Sequence, residues 1–217
     1  MKVIVTTGPS FEPIDEVRRL TNFSTGELGV LLANRLADHG CQVFCLKGVG
    51  ATYPGPLQGP IALPFSTNDD LQRHLLQLSK SESIQALFHV AALCDFKVRR
   101  VEDAHGQTQS SAKLESRASA LTIHLEPATK IISTLRSLFP KATLVGWKYE
   151  LAGTPQDALA KAWRQLKENH TDACVLNGKA YGAGFAFCTP PADVHELKEK
   201  ADLVEYLASW LLKKKSP

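Results

Sequence analysis

Short apolar, β-rich runs alternate with helical patterns along the chain, and this alternation restricts its possible folds more than any other feature. The runs cover residues 2–7, 41–47, 61–65, 84–92, 142–148 and 172–177. Because they are nearly continuously apolar, they are typical of strands that are buried on both faces. Strands that alternate with helices predict an α/β fold, a Rossmann-like, doubly wound and mainly parallel sheet. Such sheets bind ligands beyond the carboxyl ends of their strands.

The helical patterns have recognisable starts and ends. Four leucines between positions 28 and 36 recur at helical spacing, and they predict a helix over 26–40 that Gly40 closes. The stretch 66–80 opens with Ser, Thr and Asn and has Asp in its first turn. Further helices are predicted over 129–139, 155–169 and 193–214. With 217 residues, 44% of them hydrophobic, we expect one domain over 1–217, although the length alone leaves two domains open.

Composition excludes several classes of protein. No apolar run approaches the roughly 20 residues that span a bilayer, and the N-terminus lacks the apolar stretch of a secretory signal. We therefore expect no membrane partner and a cytoplasmic location. The five cysteines include no CxxC pair, so free buried thiols are expected. Of the 25 basic residues only the tail LLKKKSP forms a cluster, so nucleic-acid binding is not expected.

The loop after the first strand is long and lacks the fingerprint of dinucleotide-binding domains. The segment GPSFEPIDEVRRLTNFST separates that strand from Gly26, whereas GxGxxG would join strand and helix directly. The N–H groups of a helix that starts at Ser24, Thr25 and Gly26 are suited to a phosphate. The same residues suit a plain capping role equally well, and spacing does not decide between the two. Gly29 would let this helix pack closely on the sheet.

A second long loop follows the fourth strand and contains two candidate ligand-binding residues. Asp95 comes directly after a buried run, where a carboxylate can bind a ligand or a metal, although it is as typical of a loop turn. Residues from about 98 to 119 are mostly polar. They form either a mobile arm that holds Lys113 over a site or an ordinary solvated loop.

Taken together, these segments resemble the phosphopantothenate–cysteine ligase family, also called phosphopantothenoylcysteine synthetase. The stretch VTTGPSFEPIDEVRRLTNFSTGELG is similar to the family's long first loop, which ends in an Arg-x-x-x-Asn-x-Ser-x-Gly pattern. VAALCDFKV, AKLESRASALTIHLEPATKII, LVGWKYE and DACVLNGKAYGAGF then resemble later family segments in the right order. The resemblance covers nearly the whole chain, and it is closer to the free-standing type than to the type fused to a decarboxylase.

The resemblance implies a reaction in two steps. The carboxylate of 4′-phosphopantothenate attacks the α-phosphate of CTP or ATP in the presence of Mg²⁺, and the amine of L-cysteine then displaces the nucleoside monophosphate. CTP is favoured over ATP, and no flavin is expected. The arm, roughly 98–119, is expected to reach a neighbouring subunit in a homodimer.

The resemblance assigns the acyl substrate to the first loop. Asn22 matches the asparagine that contacts the activated acyl group, and Arg18 matches an arginine four residues earlier. Amide and guanidinium groups suit an acyl oxygen and a phosphate. The implied substrate site is completed by the residues at the helix start, which are Ser24, Thr25 and Gly26. Lys113 matches a flap lysine, so Asn22 and Lys113 are the implied catalytic residues.

The implied nucleotide site draws on several loops. It comprises Gly8, Ser10, Ala91, Ala92, Asp95, Lys113, Thr129, Lys130, Ile131, Trp147 and Lys167. Trp147 is equally suited to being a core aromatic, and Lys167 stands for a helix cation that Lys161 or Arg164 could also supply. The family's Gly-Gly-Thr is replaced here by Gly8, Pro9 and Ser10, which restricts that turn. The sequence does not identify metal ligands.

Two rival functions stay open. A non-catalytic paralogue would bind a nucleotide or a pantothenate derivative without turnover, which the altered nucleotide segments keep plausible. A nicotinamide-dependent reductase could use a similar sheet, but the chain lacks both GxGxxG and a helical Tyr-x-x-x-Lys pair.

Overall fold

An eight-stranded sheet forms the centre of the computed structural model, which describes residues 1–109, 112–114 and 120–215. Its eight strands are β1 (Lys2–Thr7), β4 (Gln42–Gly48), β5 (Ile61–Phe65), β6 (Ala86–His89), β10 (Thr143–Tyr149), β11 (Ala173–Asn177), β12 (Phe185–Thr189) and β13 (Asp193–Leu197). The six strands β1, β4, β5, β6, β10 and β11 are parallel to one another, whereas β12 is antiparallel to β11 and β13 is antiparallel to β12. Across the sheet the eight strands lie in the order β13-β12-β11-β10-β6-β1-β4-β5. The predicted doubly wound α/β fold and all six predicted strands are confirmed.

Helices cover both faces of this sheet. Helices α1 (Glu27–Asp38) and α5 (Lys200–Lys215) lie on one face. The other face is covered by α2 (Asn68–Ser81), the short α3 (Leu135–Leu138) and α4 (Pro155–Asn169). The central strands are therefore buried on both sides, which explains why their sequences are apolar throughout.

Alternate side chains of β1 show this double burial directly. Val3 and Val5 pack with the leucines of α1, whereas Ile4 packs with those of α2. All three are fully buried. Because neighbouring residues of a strand point to opposite faces, each layer receives every second residue.

Glycines determine how closely α1 approaches the sheet and where it ends. A Cβ atom at Gly29 would lie 2.2 Å from Thr7 Oγ1, so only glycine allows this helix to pack so closely on β1. Gly40 has a φ of +79° and donates its N–H to Ala37 O at 2.8 Å, and Cys41 N–H bonds to Leu36 O at 3.0 Å. This is the paired hydrogen-bond pattern of a glycine C-terminal cap. Both predictions for this helix are confirmed.

A separate three-stranded sheet, which we call the arm sheet, contains much of the predicted arm. It consists of β7 (Phe96–Asp103), β8 (Thr108–Gln109) and β9 (Leu121–Pro127) in the order β8-β7-β9. The turn between β7 and β8 is fixed by the Asp103 carboxylate, which accepts N–H groups of His105 and Gln107. Much of the segment predicted as a polar loop is therefore regular hairpin. The part of that prediction at 110–111 and 115–119 lies outside the described residues.

Three predicted elements differ from the structure. The predicted helix over 193–214 is two elements, because Asp193–Leu197 pairs with β12 as β13 and the helix begins only at Lys200. The predicted helix over 129–139 is a 3-10 turn at Ile131–Thr134 followed by α3, and Thr129 and Lys130 precede it as extended chain. The strand predicted over 84–92 leaves the sheet after His89. In the first case the pairing of Asp193–Leu197 with β12 overrides the local helical pattern.

The described chain contains neither a membrane span nor a disulfide. No helix within it combines the length and apolar character needed to cross a bilayer. All five cysteines are free and buried, as predicted. Burial raises the pKa of the Cys45 thiol to about 12 and that of Cys188 to about 11, so both thiols stay protonated at neutral pH.

Candidate functional site

The site is built where the strand order of the sheet reverses. The chain moves from β1 to β4 and β5 on one side and then continues from β6 on the other, so β1 and β6 are neighbours. Their following loops, 8–26 and 90–95, leave the same edge of the sheet, because β1 and β6 are parallel neighbours. A crevice at such a switch point is the usual ligand site of an open α/β sheet.

Backbone hydrogen bonds join the two loops immediately above the sheet. Ser10 N–H donates to Ala92 O at 3.2 Å, and Ala92 N–H donates to Gly8 O at 3.0 Å. Cys94 N–H donates to Ser10 Oγ at 2.8 Å. Ser10 is fully buried, whereas Ala91 and Ala92 are half-buried. Gly8 and Ser10 therefore support the site from below, and the two alanines lie at its surface.

Asn22 is fixed at the junction of the two loops. The first loop folds back as a small hairpin of β2 (Phe11–Pro13) and β3 (Arg19–Thr21), which ends next to Asn22. Thr21 Oγ1 donates to Ser10 O at 2.7 Å, and Asn22 Nδ2 donates to Leu93 O at 2.8 Å. This hydrogen bond uses one of the two N–H donors of an exposed amide group.

The start of α1 lies beside this junction. Its N-cap is Gly26, with a φ of +77° and no side-chain cap, and Thr7 Oγ1 donates to Gly26 O at 2.9 Å. Thr25 Oγ1 accepts the N–H of Glu27 at 3.3 Å. Ser24 is not the capping residue. Of the two side chains that could cap the helix, only that of Thr25 accepts an N–H group at the helix start.

Lys113 is held against the first loop by its two neighbours. Glu16 N–H donates to Ala112 O at 2.9 Å, and both terminal nitrogens of the Arg18 guanidinium lie 3.3 Å from Leu114 O. Lys113 itself is exposed. The structure thus brings the segment of Lys113 to the loop that contains Arg18 and leads to Asn22.

Asp15 is part of this contact, although the sequence did not predict a role for it. Its carboxylate accepts the Arg18 guanidinium at 2.7 Å and the Leu114 N–H at 3.1 Å. Burial alone would raise the pKa of Asp15, but hydrogen bonds from the Leu114, Val17 and Arg18 backbone and the Arg18 charge outweigh burial, so the pKa lies below its ordinary value. Its place three residues before Arg18 in PIDEVRR is the one local signal that could have suggested the pair.

The predicted nucleotide-binding segment, Thr129 to Ile131, lies next to the same crevice and is connected to it by hydrogen bonds. Ala128 N–H donates to Asp95 O at 2.9 Å, and the side chains of Asp95 and Thr129 are exposed. Asn68, the first residue of α2, is buried and donates Nδ2 to Cys94 O at 2.8 Å and to Thr129 O at 3.4 Å. Asn68, which sequence reasoning missed, therefore holds the two segments together.

A basic groove, which we define by its lining residues, lies next to this segment. It has a volume of about 270 Å³ and is lined by Lys130, Lys148, Lys161, Arg164, Gln165 and Glu168. Glu150 accepts Lys161 Nζ at 2.5 Å and Lys148 Nζ at 3.1 Å. Burial would raise the pKa of Glu150, but its hydrogen bonds from Lys161 and Lys148 outweigh burial and lower it. Four cationic side chains against two carboxylates make the groove suited to a polyanion.

Three other predicted nucleotide residues lie outside the groove. Lys167 is an exposed residue of α4 that does not contribute to the groove lining, whereas Lys161 and Arg164 do. Trp147 packs with the core cluster on the α1 face, opposite the face where Ile131 is buried. For Trp147 the structure thus favours the core alternative over contact with the nucleotide segment. Ile131 anchors the segment from inside.

A buried histidine lies under the crevice. His89 Nδ1 is 2.9 Å from Thr6 Oγ1, which also accepts the N–H of Ala91 at 3.3 Å. Burial lowers the pKa of His89 to about 4, so the ring is neutral at physiological pH. In the part of the chain that the structure describes, no group of three or more His, Cys, Asp or Glu side chains is arranged to hold a metal ion.

A protein family and a curated relative both match most of this chain. Residues 1–208 match the family model described as the DNA/pantothenate metabolism flavoprotein C-terminal domain. The chain is 28% identical over 183 residues to the coenzyme A biosynthesis bifunctional protein CoaBC of Thermococcus kodakarensis, an alignment that covers 84% of this chain and 42% of that protein. The chain thus spans less than half the length of this curated relative.

Solved structures show the same fold. The DNA/pantothenate metabolism flavoprotein of Streptococcus pneumoniae superimposes with a TM-score of 0.88 at 23% identity, over 99% of both chains. A Cab2 mutant in complex with phosphopantothenate-cysteine superimposes with a TM-score of 0.74 at 19% identity, over 98% of this chain and 85% of that chain. These similarities confirm the Rossmann-like architecture.

Proposed function

Because the chain belongs to the family of DNA/pantothenate metabolism flavoprotein C-terminal domains, we propose that it is a phosphopantothenate–cysteine ligase of coenzyme A biosynthesis. It forms an amide between 4′-phosphopantothenate and L-cysteine and consumes a nucleoside triphosphate. The names of its relatives support the pathway, and the phosphopantothenate-cysteine in one solved neighbour supports the substrate class. The observation that carries the proposal is the junction at the switch point, where Asn22 bonds to Leu93 between the two loops.

The first step activates the carboxylate of phosphopantothenate. A carboxylate oxygen forms a bond to the α-phosphorus of the nucleotide, the bond to the β-phosphate oxygen breaks, and pyrophosphate leaves. The basic groove supports this step, because its lysines and Arg164 would neutralise the β- and γ-phosphates and the departing pyrophosphate. Lys113 would stabilise charge on the triphosphate from the arm.

The second step forms the amide. The neutral amine of cysteine attacks the activated carbonyl carbon, the C–N bond forms, the bond from that carbon to the phosphate oxygen breaks, the nucleoside monophosphate leaves, and the nitrogen loses one proton to solvent. Negative charge develops on the carbonyl oxygen during this attack. The second N–H donor of the Asn22 amide would stabilise that oxygen, since Leu93 O takes the first. Arg18 and the start of α1, at Ser24, Thr25 and Gly26, would hold the acyl substrate.

The nucleotide would lie between this junction and the groove. Its base would lie on Ala91 and Ala92, and its ribose would hydrogen bond to Asp95, with Gly8, Ser10 and the segment Thr129 to Ile131 as supports. We propose CTP in preference to ATP. Mg²⁺ would enter with the triphosphate, because this ion is usually bound through substrate phosphates together with one or two carboxylates. No electron is transferred, so the reaction needs no flavin.

We further propose a cytoplasmic homodimer formed through the arm. Strand β9 is the outer strand of the arm sheet, and one of its faces exposes Leu121, Ile123 and Leu125 by more than a third each. An exposed apolar stripe on an edge strand suits a second copy of the same chain. Light scattering of the wild type should give twice the monomer mass. Ile123→Asp should reduce the mass to the monomer value, and Leu76→Asp on α2, also exposed, should not.

The proposed activity is tested with the purified chain, phosphopantothenate, L-cysteine and either CTP or ATP. Mass spectrometry should detect the amide product, and a coupled assay should detect one pyrophosphate for each amide, with CTP the better substrate. Omission of cysteine is the matched control and should abolish the amide. Binding of nucleotide without turnover would favour the non-catalytic paralogue, and a spectral change with a nicotinamide cofactor would favour the reductase.

A further inference from the structure

The Asp15 carboxylate connects two segments that are almost a hundred residues apart. One oxygen accepts the backbone N–H groups of Val17 at 2.8 Å and Arg18 at 2.6 Å. The other accepts the Arg18 guanidinium at 2.7 Å and Leu114 N–H at 3.1 Å. The Asp15 side chain is only 1% exposed. A buried carboxylate with four donors is a built contact rather than a solvated turn residue.

We propose that Asp15 is a positioning residue, which fixes Lys113 at the acyl-substrate site by latching the returning arm to the first loop. The latch consists of Asp15, Glu16 and Arg18 on the loop side and of Ala112 and Leu114 on the arm side. The kinetic part of this proposal rests on the proposed ligase function. The structural part does not depend on it.

The latch holds the chain on both sides of Lys113. Before it, Ala112 O accepts the N–H of Glu16 at 2.9 Å. After it, Leu114 bonds through its N–H to Asp15 and through its oxygen to Arg18. The Leu114 side chain is 3% exposed and adds a buried apolar anchor. With both neighbours fixed, the backbone of Lys113 has a defined position relative to the loop that leads to Asn22.

Arg18 consequently has a role beyond the one implied by resemblance. Its guanidinium donates to Asp15 and to Leu114 O, so at least part of its hydrogen-bonding capacity is used inside the latch. Only a carboxylate can accept from all four donors, because an amide at this position would place an N–H group against a donor. Asparagine is therefore a nearly isosteric replacement that should open the latch while the loop keeps its shape.

Hydrogen exchange tests the latch without any assay of activity. In protein labelled with ¹⁵N-leucine, exchange of the Leu114 amide should be at least about 10-fold faster in Asp15→Asn than in the wild type, because its acceptor is lost. The matched control is Asp103→Asn, which removes a carboxylate that caps backbone N–H groups within the arm turn. It should leave Leu114 exchange unchanged. Equal exchange of Leu114 in the wild type and Asp15→Asn would overturn the latch.

A double-mutant comparison then tests whether Asp15 acts through Lys113. Asp15→Asn should slow pyrophosphate release about 10-fold to 10²-fold, since a displaced catalytic group loses rates of this order. In a Lys113→Ala background, Asp15→Asn should have almost no further effect. Effects that multiply would overturn the positioning role. If the wild type shows no turnover at all, the ligase proposal fails, and the exchange result alone decides whether the latch exists.

Discussion

Acidification should destabilise the protein through His89, the buried ring under the crevice. His89 is 7% exposed and contacts Thr6 Oγ1 through Nδ1. Burial lowers its pKa from 6.5 to about 4. The unfolded chain therefore binds a proton below pH 6.5, whereas the folded chain does not until about pH 4. Since the unfolded state binds more protons in this window, folding stability is fully present above pH 6.5 and falls as the pH decreases through 4.

The size of this effect follows from the two pKa values. One pKa unit corresponds to about 1.4 kcal/mol, so the interval from 6.5 to about 4 gives a loss of about 3 kcal/mol. This is a large part of the roughly 5–15 kcal/mol that stabilises a typical domain. The crevice lies directly above the ring, so its geometry should be among the first features lost in acid.

Urea unfolding at a series of pH values between 7.5 and 4 measures the effect. The wild type and His89→Asn should differ in the pH dependence of their unfolding free energy by about 3 kcal/mol, because asparagine cannot be protonated in this range. His105→Asn, at an exposed histidine of the arm turn, is the matched control and should follow the wild type. Parallel curves for the wild type and His89→Asn would refute the reasoning. Buried Glu12 also titrates, but it is present in all three proteins.

Three further predictions concern packing and catalysis. Gly29→Ala should lower the unfolding free energy by about 1–3 kcal/mol, because the methyl group would overlap the last residue of β1; a higher melting temperature would contradict this. Lys161→Ala should raise the KM for the triphosphate about 10-fold, whereas Lys167→Ala, on the same helix but outside the groove, should change it less than 2-fold; equal effects would remove the groove from the mechanism. Lys113→Ala should slow pyrophosphate release about 10²-fold, whereas Asn22→Ala should spare that step and let acyl-nucleotide accumulate on the enzyme in rapid-quench samples. Similar rates of both steps in the two variants would argue against these separate roles.

The central fold could be predicted because its signal is local. Each parallel strand is buried on both faces and therefore carries a continuous apolar run. The strands β2, β3 and β13 are short or lie at an edge, and each exists because a neighbouring segment of the chain pairs with it in a hairpin. The alternation of Asp193–Leu197 is too weak to reveal β13 without its partner β12. The sequence also did not predict how long β7 and β9 are, because each strand is stabilised by its pairing with the other.

The site could be predicted only in part. Asp95 follows from its place after a buried strand, because a parallel sheet gathers such residues at one edge, whereas Asn22 was predicted only through the family resemblance. Asp15 and Asn68 function through contacts with Leu114 and Thr129, and no spacing rule reaches across such distances in the chain. The basic groove depends on which face of β10 and α4 each lysine occupies. The sequence does not show this, and it therefore did not predict Lys148 as a groove residue.

The fate of the carboxylate oxygens of phosphopantothenate tests the central claim most directly. If an acyl-nucleotide forms at the junction of the two loops, substrate labelled with ¹⁸O in its carboxylate should transfer one heavy oxygen to the nucleoside monophosphate. Mass spectrometry of the nucleotide after a single turnover, with unlabelled substrate as control, measures this transfer. Heavy oxygen in the monophosphate is the predicted result. Heavy oxygen in inorganic phosphate with release of a nucleoside diphosphate, or an unlabelled monophosphate beside amide product, would contradict the account.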